Sequence, residues 1–197
     1  MQQNMNPKVV VLFVCEGKNK TEKKYFNHFK ARENKFNLKI EDSEDTNPIG
    51  LANNALRYIK KYDMHLDRGD KAFCLMDLDL SEKQLKEYLE VKSKAKYKGI
   101  EFIVSNPCFE VWFMFHFLKD PKKEKSSEDV KKALCGYIKN YEENLDVYEK
   151  YNLQDRLNEA YINASNKAKL LEDLSLIDKN PYTEVGKLID LFNDLNK

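Results

Sequence analysis

The chain has 197 residues, and its 34 lysines and arginines almost balance its 33 aspartates and glutamates, which leaves a net charge of +1. This length fits one domain whose core needs no disulfide or structural metal. Only four of the basic residues are arginines, the side chain that duplex-reading proteins favour for contacts to guanine, so we do not expect sequence-specific duplex recognition, although lysine could still bind backbone phosphates.

Short apolar runs alternate with segments of helical period over the first half of the chain. The first run begins at Val9 and is rich in β-branched residues, as in strands buried on both faces. The predicted strands are 9–15, 36–40, 71–76 and 100–104, and helices are predicted to begin near Thr21, Leu51 and Ser81. Strands that alternate with helices of this length form βαβ units. We therefore predict an α/β fold with a mostly parallel, Rossmann-like sheet of about four strands flanked by helices.

The strand pattern stops after Pro107. The helices predicted beyond it are 108–118, 130–139, 153–171 and 183–195. Because a parallel sheet needs helices on both faces, we expect these additional C-terminal helices to cover the sheet rather than to form a second domain. We predict a single domain over 1–197, with an α/β core over 1–107 and a helical part over 108–197 packed on it.

Carboxylates follow two of the predicted strands. Glu16 and Gly17 come directly after the first strand, and Asp77 and Asp79 come after the third. The carboxyl ends of parallel strands lie at one edge of a sheet, and strand alternation would place Asp77 and Asp79 on the same side. Oxygen ligands of this kind suit Mg²⁺ or Mn²⁺. The sequence therefore predicts a metal site of Glu16, Asp77 and Asp79, although aspartate after a strand is also common because it favours turns and helix starts.

The turn after the first strand carries lysines. Its sequence, GKNKT, is not a GxxxxGK[ST] phosphate loop, so a P-loop nucleoside triphosphatase is not supported. Lys18 and Lys20 are candidates for electrostatic contact with a substrate backbone. Lysine is common in nearly every loop of this chain, so an unspecific solvated role competes with that interpretation.

The segment SNPCFEVWFMFHF, residues 105–117, follows the fourth strand and starts at the same edge. We predict that Asn106 contacts substrate there. Glu110 and His116 interrupt a helix that is otherwise almost wholly apolar, and a carboxylate on a buried helix needs a partner or a metal. We therefore include Glu110 as a support for the site. His116 lies about 9 Å farther along the helix and is included as a further candidate, although core histidines of this kind are usually structural.

The four cysteines form neither a CxxC pair nor a zinc-binding spacing, and Cys15 and Cys74 lie within apolar runs. A reducing compartment is the simplest expectation. The first residues lack the features of a signal peptide, and no apolar run approaches membrane-spanning length. We expect a cytoplasmic protein without membrane association.

Four segments together resemble the signature blocks of the RloB-like family, small bacterial proteins found beside restriction and abortive-infection genes and often paired with an ATPase. The segments are VCEGKNKTEKKYF, MDLDL, SNPCFEVWFMFHF and NPYTEVGKLI, and they extend from Val14 to Ile189. A glutamate followed by a DxD motif is also similar to the layout of the Toprim fold of primases, topoisomerases and certain phage-defence nucleases.

The resemblance implies a phage-defence protein with Toprim-like, Mg²⁺-dependent phosphodiester chemistry. By matching motif, Glu16 would be the general acid or base, and Asp77 and Asp79 would bind the metal. Glu110 and His116 fall within the family's NPxFExWxxxH block.

The last block of the family, NPxT, matches Asn180, Pro181 and Thr183. The family usually has serine where this chain has Tyr182. Thr183 followed by Glu184 suits the start of a helix, so we favour a structural role for this block.

Our primary hypothesis is an abortive-infection effector, a Toprim-like Mg²⁺-dependent phosphodiesterase that cleaves nucleic acid, with RNA and tRNA among the candidate substrates. A second hypothesis is a non-catalytic partner or regulator of an associated ATPase, which would tolerate loss of Glu16 or Asp77. A third is a phosphohydrolase or nucleotidyltransferase for small nucleotides, which would need a deeper pocket.

Overall fold

The computed structural model describes residues 8–17, 21–143 and 145–197. Its strands form one sheet and are β1 (Val9–Glu16), β2 (Phe36–Ser43), β3 (Lys71–Asp77), β4 (Ile100–Asn106) and β5 (Tyr182–Thr183). The first four overlap the predicted strands, although β2 continues three residues beyond the predicted end at Ile40. The fifth has only two residues, too few to show any period, and the sequence did not predict it.

The sheet order is β2-β1-β3-β4-β5. The first four strands are parallel to their neighbours, and β5 is antiparallel to β4 through the Ser105–Thr183 and Asn106–Tyr182 pairs. The prediction of an α/β fold with a mostly parallel sheet is confirmed, with five strands rather than four. After β1 the chain moves to one side to form β2 and then crosses to the other side to form β3. In open α/β sheets, ligands bind at the carboxyl ends of the strands where the order reverses in this way.

Helices connect the strands and cover both faces of the sheet. Their bounds are α1 (Thr21–Asn27), α2 (Pro48–Lys61), α3 (Glu82–Ser93), α4 (Glu110–Phe117), α5 (Ser127–Leu134), α6 (Val147–Lys150), α7 (Leu157–Leu170) and α8 (Gly186–Leu195). Ser81 caps α3 as expected, since its hydroxyl accepts a hydrogen bond from the Gln84 N–H at 3.3 Å. Within the described residues, no helix is long and apolar enough to cross a membrane.

The core consists of two layers separated by the sheet. Val11 and Phe13 of β1 face the layer that contains α1, α4 and the later helices, whereas Leu12 and Val14 face α2 and α3. This alternation is what a strand buried on both faces requires. Helices that follow β4 therefore pack directly on the sheet that the first half of the chain forms.

The predicted last helix is too long at its start. Thr183 lies in β5, where its hydroxyl is 2.8 Å from that of Ser105, and α8 begins only at Gly186. Thr183 still caps the turn before α8, because its hydroxyl accepts a hydrogen bond from the Val185 N–H at 3.3 Å. The helix starts later than predicted because Thr183 pairs with Ser105 of β4.

Candidate active site at the carboxyl edge of the sheet

A small cavity of about 110 Å³ lies at the carboxyl edge of the sheet, beside the ends of β1 and β3. These are the neighbouring strands at which the order of the sheet reverses. Five carboxylates and one lysine line it together with three uncharged residues: Glu16, Glu22, Asp77, Glu110, Glu143, Lys131, Thr21, Thr46 and Phe109. The acidic cavity, as we call it, thus has five carboxyl groups and a single cationic side chain.

Glu16 is the last residue of β1, and its side chain turns into the acidic cavity. Its Oε1 atom is buried and has no hydrogen-bond partner. Burial and the nearby charge of Asp79 raise the pKa of Glu16 to about 7. The next residue must be glycine because the backbone is crowded there. The Gly17 N–H donates to the Ser43 carbonyl at 2.8 Å, and a Cβ would lie 2.3 Å from that oxygen. Gly17 is therefore explained by the close approach of the two strands.

Asp77 is the last residue of β3 and also lines the acidic cavity. Burial, followed by the charges of Glu22 and Glu16, raises the pKa of Asp77 well above its usual range. A carboxylate surrounded by like charges in a poorly solvated position resists ionisation. The environment of Asp77 is therefore suited to a bound cation.

Asp79 reaches the site by a different route from the one predicted. The strand ends at Asp77, and Asp79 lies in a turn with a positive φ of 52°, so strand alternation does not relate the two side chains. The Asp79 N–H donates to the Pro107 carbonyl at 2.9 Å, and its carboxylate accepts a hydrogen bond from the Ser127 hydroxyl at 2.5 Å. Asp79 is exposed beside the acidic cavity, close enough for its charge to raise the pKa of Glu16.

Glu110 opens α4 and is only 4% exposed. Its carboxylate accepts a hydrogen bond from the Tyr141 hydroxyl at 2.7 Å. Its charge contributes to the raised pKa values of Glu22 and Asp77. The structure thus brings Glu110 to the acidic cavity, as the sequence predicted for a buried carboxylate at this edge.

Glu22, in the first turn of α1, lines the acidic cavity but was not among the predicted site residues. It is 6% exposed, and burial raises its pKa to about 8. The available signal was its spacing: Glu22 lies three and four residues before Tyr25 and Phe26, so it is on the buried face of the helix.

Lys131 and Glu143 were missed as well. Lys131 belongs to α5, pairs with Glu143 and is the one cation among the described lining residues. Burial lowers the pKa of Lys131, but the bond to Glu143 and the charge of Glu110 outweigh this effect and leave it raised. Both residues come from polar segments, and nothing in their spacing indicated the site.

Two predicted site residues lie away from the acidic cavity. Asn106 is completely buried, and its Nδ2 donates to the carbonyls of Ile177 and Lys179 at 3.0 and 2.7 Å. Its Oδ1 accepts from the Leu80 N–H at 3.2 Å. The amide therefore holds backbone segments together, and contact with substrate would require these bonds to break.

His116 is 1% exposed and lies in the core next to Trp112. Its Nδ1 must carry the proton, because the partner at 3.0 Å is the Trp112 carbonyl. Burial lowers the pKa of His116 to about 4. The structure does not bring this histidine to the acidic cavity.

The remaining predictions concern the lysines of the first turn and the NPYT block. Lys18 and Lys20 lie outside the described residues. The Asn180 amide group donates to the Glu124 carbonyl at 2.6 Å, and Thr183 pairs with Ser105, so the contacts of this block are internal.

The sequence matches one family model over most of its length. The model of the family described as RloB-like protein matches residues 11–192. The chain belongs to the RloB-like family. A search of curated proteins and a search of solved structures each found no match. The matched range includes every residue that lines the acidic cavity of this RloB-like protein.

The side chains of this RloB-like protein can be tested for their fit to a divalent cation. Within the described residues, no three acidic, histidine or cysteine side chains are placed to hold one ion together. Mg²⁺, however, is usually bound by only one or two carboxylates and retains several waters. The Oε1 atom of Glu16 is buried without a hydrogen-bond partner, and Asp77 lines the same cavity. Carboxylate oxygens are the donors that a hydrated Mg²⁺ or Mn²⁺ takes, so Glu16 and Asp77, with Asp79 nearby, are the residues that would hold such an ion.

Proposed function

We propose that this RloB-like protein is a Mg²⁺-dependent phosphodiesterase that cleaves nucleic acid and acts in the cytoplasm as an effector of abortive infection. The observation that supports it most directly is the acidic cavity at the β1–β3 switch point, where Glu16 and Asp77 meet with raised pKa values. Perturbed carboxylates in a cleft are frequent at catalytic sites. The resemblance of the sequence motifs to Toprim-like nucleases points the same way.

The charge of the acidic cavity bears on the type of chemistry. Five carboxyl groups and one lysine offer a phosphate group little attraction, whether the carboxyl groups are charged or protonated. A divalent cation held there would supply positive charge, orient the phosphate and favour the attacking water. Asp77 and Asp79 would hold the metal, and Glu110, fixed by Tyr141, would orient water around it.

Glu16 is suited to move a proton. In the metal-free protein, burial and the charge of Asp79 raise its pKa to about 7, so it takes up a proton more readily than an ordinary carboxylate. Oε1 lacks a protein partner and could accept the proton of the attacking water. Lys131 also lines the cavity, where its positive charge can stabilise charge that develops on the phosphate.

The decisive experiment measures growth arrest and phage protection in cells that express the protein, alone and together with an ATPase of the kind that accompanies this family, if one is encoded beside its gene. The parent is compared with Glu16→Gln and Asp77→Asn, and Glu101→Gln, at an exposed position of β4, is the matched control. All variants must accumulate and fold equally. We expect the parent and the control to arrest growth or protect against phage. Either cavity variant should reduce phage protection by at least about 100-fold.

New 5′ or 3′ ends in the RNA or DNA of arrested cells would identify the substrate. Full protection by both cavity variants would overturn the phosphodiesterase proposal. The protein would then be better explained as a binding partner that regulates the ATPase.

A further inference from the structure

A group of cations and two tyrosine rings lies where α2 meets β2, the strand at the edge of the sheet. We call this group the basic edge, and its members are Lys30, Lys39, Arg57, Tyr58, Lys61 and Tyr62. The rings of Tyr58 and Tyr62 are one helical turn apart, with centroids separated by 6.4 Å and planes inclined by 17°. They form a nearly parallel pair at the end of α2, partly buried against the core layer on that face of the sheet.

Each ring of the basic edge has positive charge over its face. The Nζ atom of Lys61 lies 5.2 and 5.0 Å from the centroids of Tyr58 and Tyr62. Arg57 lies 5.1 Å from the Tyr58 centroid, and Lys39 lies 5.3 Å from that of Tyr62. Cations and aromatic faces thus alternate over two turns of α2.

The carboxylates beside the basic edge do not neutralise it. Glu41 accepts from the Tyr62 hydroxyl and lies 3.7 Å from Lys61, and Asp42 is paired with Lys23 at 2.6 Å. Over residues 8–17, 21–143 and 145–197, no ion pair involves the other three cations, which are Lys30, Lys39 and Arg57. The pKa of Lys30 is lowered by partial burial and by the charges of Lys23 and Lys39, as expected where cations gather.

The basic edge is linked through β2 to the strand end that lines the acidic cavity. The Tyr58 hydroxyl donates to the Asp42 carbonyl at 3.1 Å. In the β1–β2 ladder, Asp42 is paired with Cys15 and the next residue, Ser43, with Glu16. The tyrosine pair is therefore connected to the strand end that faces the cavity.

We propose that the basic edge binds single-stranded nucleic acid and leads it into the acidic cavity, an inference that rests on the proposed function. Lysine and arginine would turn from the rings to successive phosphates, which would free the tyrosine faces for unpaired bases to stack on, as in other single-strand binding grooves. A duplex cannot offer unstacked bases to these rings. The basic edge thus supplies the attraction for phosphate that the acidic cavity lacks.

The test measures the fluorescence anisotropy of a labelled 20-nucleotide RNA and of a DNA with the same mixed sequence, in EDTA so that neither is cleaved. The triple variant Lys39→Ala, Arg57→Ala, Lys61→Ala is compared with the control Lys92→Ala, Lys96→Ala, Lys98→Ala. The control lysines precede the amino end of β4, and two of them lie over tyrosine rings at 5.3 and 4.4 Å. Both variants lose three positive charges.

We expect the basic-edge variant to bind at least about 10-fold more weakly, and its slope of log K against log salt to fall by about 2, since each phosphate contact contributes about 0.7 on single strands. The control should bind like the parent. A difference between RNA and DNA would identify the sugar that is read. Equal weakening in both variants, or no binding by the parent, would overturn the proposal.

A second pair of variants tests the rings. Tyr62→Phe keeps the ring but loses the hydroxyl that donates to Glu41, whereas Tyr62→Leu loses the ring. We expect Tyr62→Leu alone to weaken binding, by about 5-fold or more. Equal binding by the two variants would exclude stacking at this position.

The results of this test distinguish failure of the basic-edge proposal from failure of the proposed function. If the basic-edge variant loses binding while Glu16→Gln still protects cells, the basic edge is a nucleic-acid surface on a protein that is not a nuclease. If Glu16→Gln abolishes protection while both triple variants bind equally, the phosphodiesterase proposal stands and the basic edge does not carry its substrate.

Discussion

The Tyr141 hydroxyl donates a 2.7 Å hydrogen bond to the carboxylate of Glu110, and both side chains are buried, at 8% and 4% exposure. Tyr141 follows α5, whereas Glu110 opens α4 beside the sheet edge. The helical part of the chain thus fixes a carboxylate in the wall of the acidic cavity. A buried carboxylate without such a donor would be costly.

Replacement of Tyr141 by phenylalanine should therefore destabilise the protein by about 1–3 kcal/mol, because Glu110 would remain buried without its donor. Chemical denaturation would measure the change in the free energy of unfolding. Tyr137→Phe, at a 41% exposed position, is the control and should have almost no effect. In the Glu110→Gln background the loss should shrink; an unchanged loss there would show that packing, not this hydrogen bond, is responsible.

Glu22 should make the metal-free protein less stable at high pH. Its folded-state pKa of about 8 lies above the ordinary value of 4.5, so the folded state binds more protons than the unfolded state between these values. The contribution of Glu22 to the free energy of unfolding is therefore complete below about pH 4.5. It decreases as the pH rises to about 8, by up to about 1.4 kcal/mol per pH unit for one proton. Unfolding free energies between pH 5 and 9 should show a shallower decline for Glu22→Gln. Glu101→Gln, at an exposed site, should follow the parent, and parallel curves for all three proteins would contradict the prediction.

Asp77→Asn should stabilise the metal-free protein at pH 8, since it removes a carboxylate surrounded by like charges. The same change should abolish stabilisation by Mg²⁺. At a concentration 100 times Kd, Mg²⁺ should stabilise the parent by about 2.7 kcal/mol, or a Tm increase of several degrees. Thermal unfolding in EDTA and in Mg²⁺ tests both effects, with Asp67→Asn at an exposed turn as the control. An equal Mg²⁺ response in all three proteins would place the ion elsewhere.

Asn106→Asp should lower the free energy of unfolding by at least about 3 kcal/mol, so the protein should unfold at a lower denaturant concentration. The substitution preserves shape but removes the Nδ2 donor to the Ile177 and Lys179 carbonyls and buries a charge. Asn37→Asp, at an exposed position of β2, is the control. A stable Asn106→Asp protein that had lost only activity would instead support the substrate contact that the sequence suggested.

The His116 imidazole should stay neutral down to about pH 4. Burial opposes its protonation, and its Nδ1–H is held by the Trp112 carbonyl. Two-dimensional NMR of the imidazole nitrogens should show the Nδ1–H tautomer of His116 and no titration of this ring between pH 5 and 8. Titration of His116 near pH 6.5 would show that water reaches the ring.

Several parts of the site could be predicted from sequence because they depend on local pattern and on one rule of sheet geometry. Apolar runs that end on Glu16 and Asp77 specify buried strands whose carboxyl ends meet, and the structure has both residues in one cavity. Glu110 could be predicted because a carboxylate on an apolar helix needs a partner, which proved to be Tyr141. Glu22 had a usable signal in its spacing to Tyr25 and Phe26.

The α/β class, the four long strands and the edge at which their carboxyl groups meet could all be deduced from local pattern, because strand and helix periods depend on neighbouring residues. Which distant residues complete that edge became apparent only in the folded chain. Lys131 reaches it from a polar segment, and Asn106 turns away from it to bind backbone carbonyls. Such placements depend on how the later helices dock against the sheet, and docking is fixed by contacts between residues far apart in the chain, which no local period records.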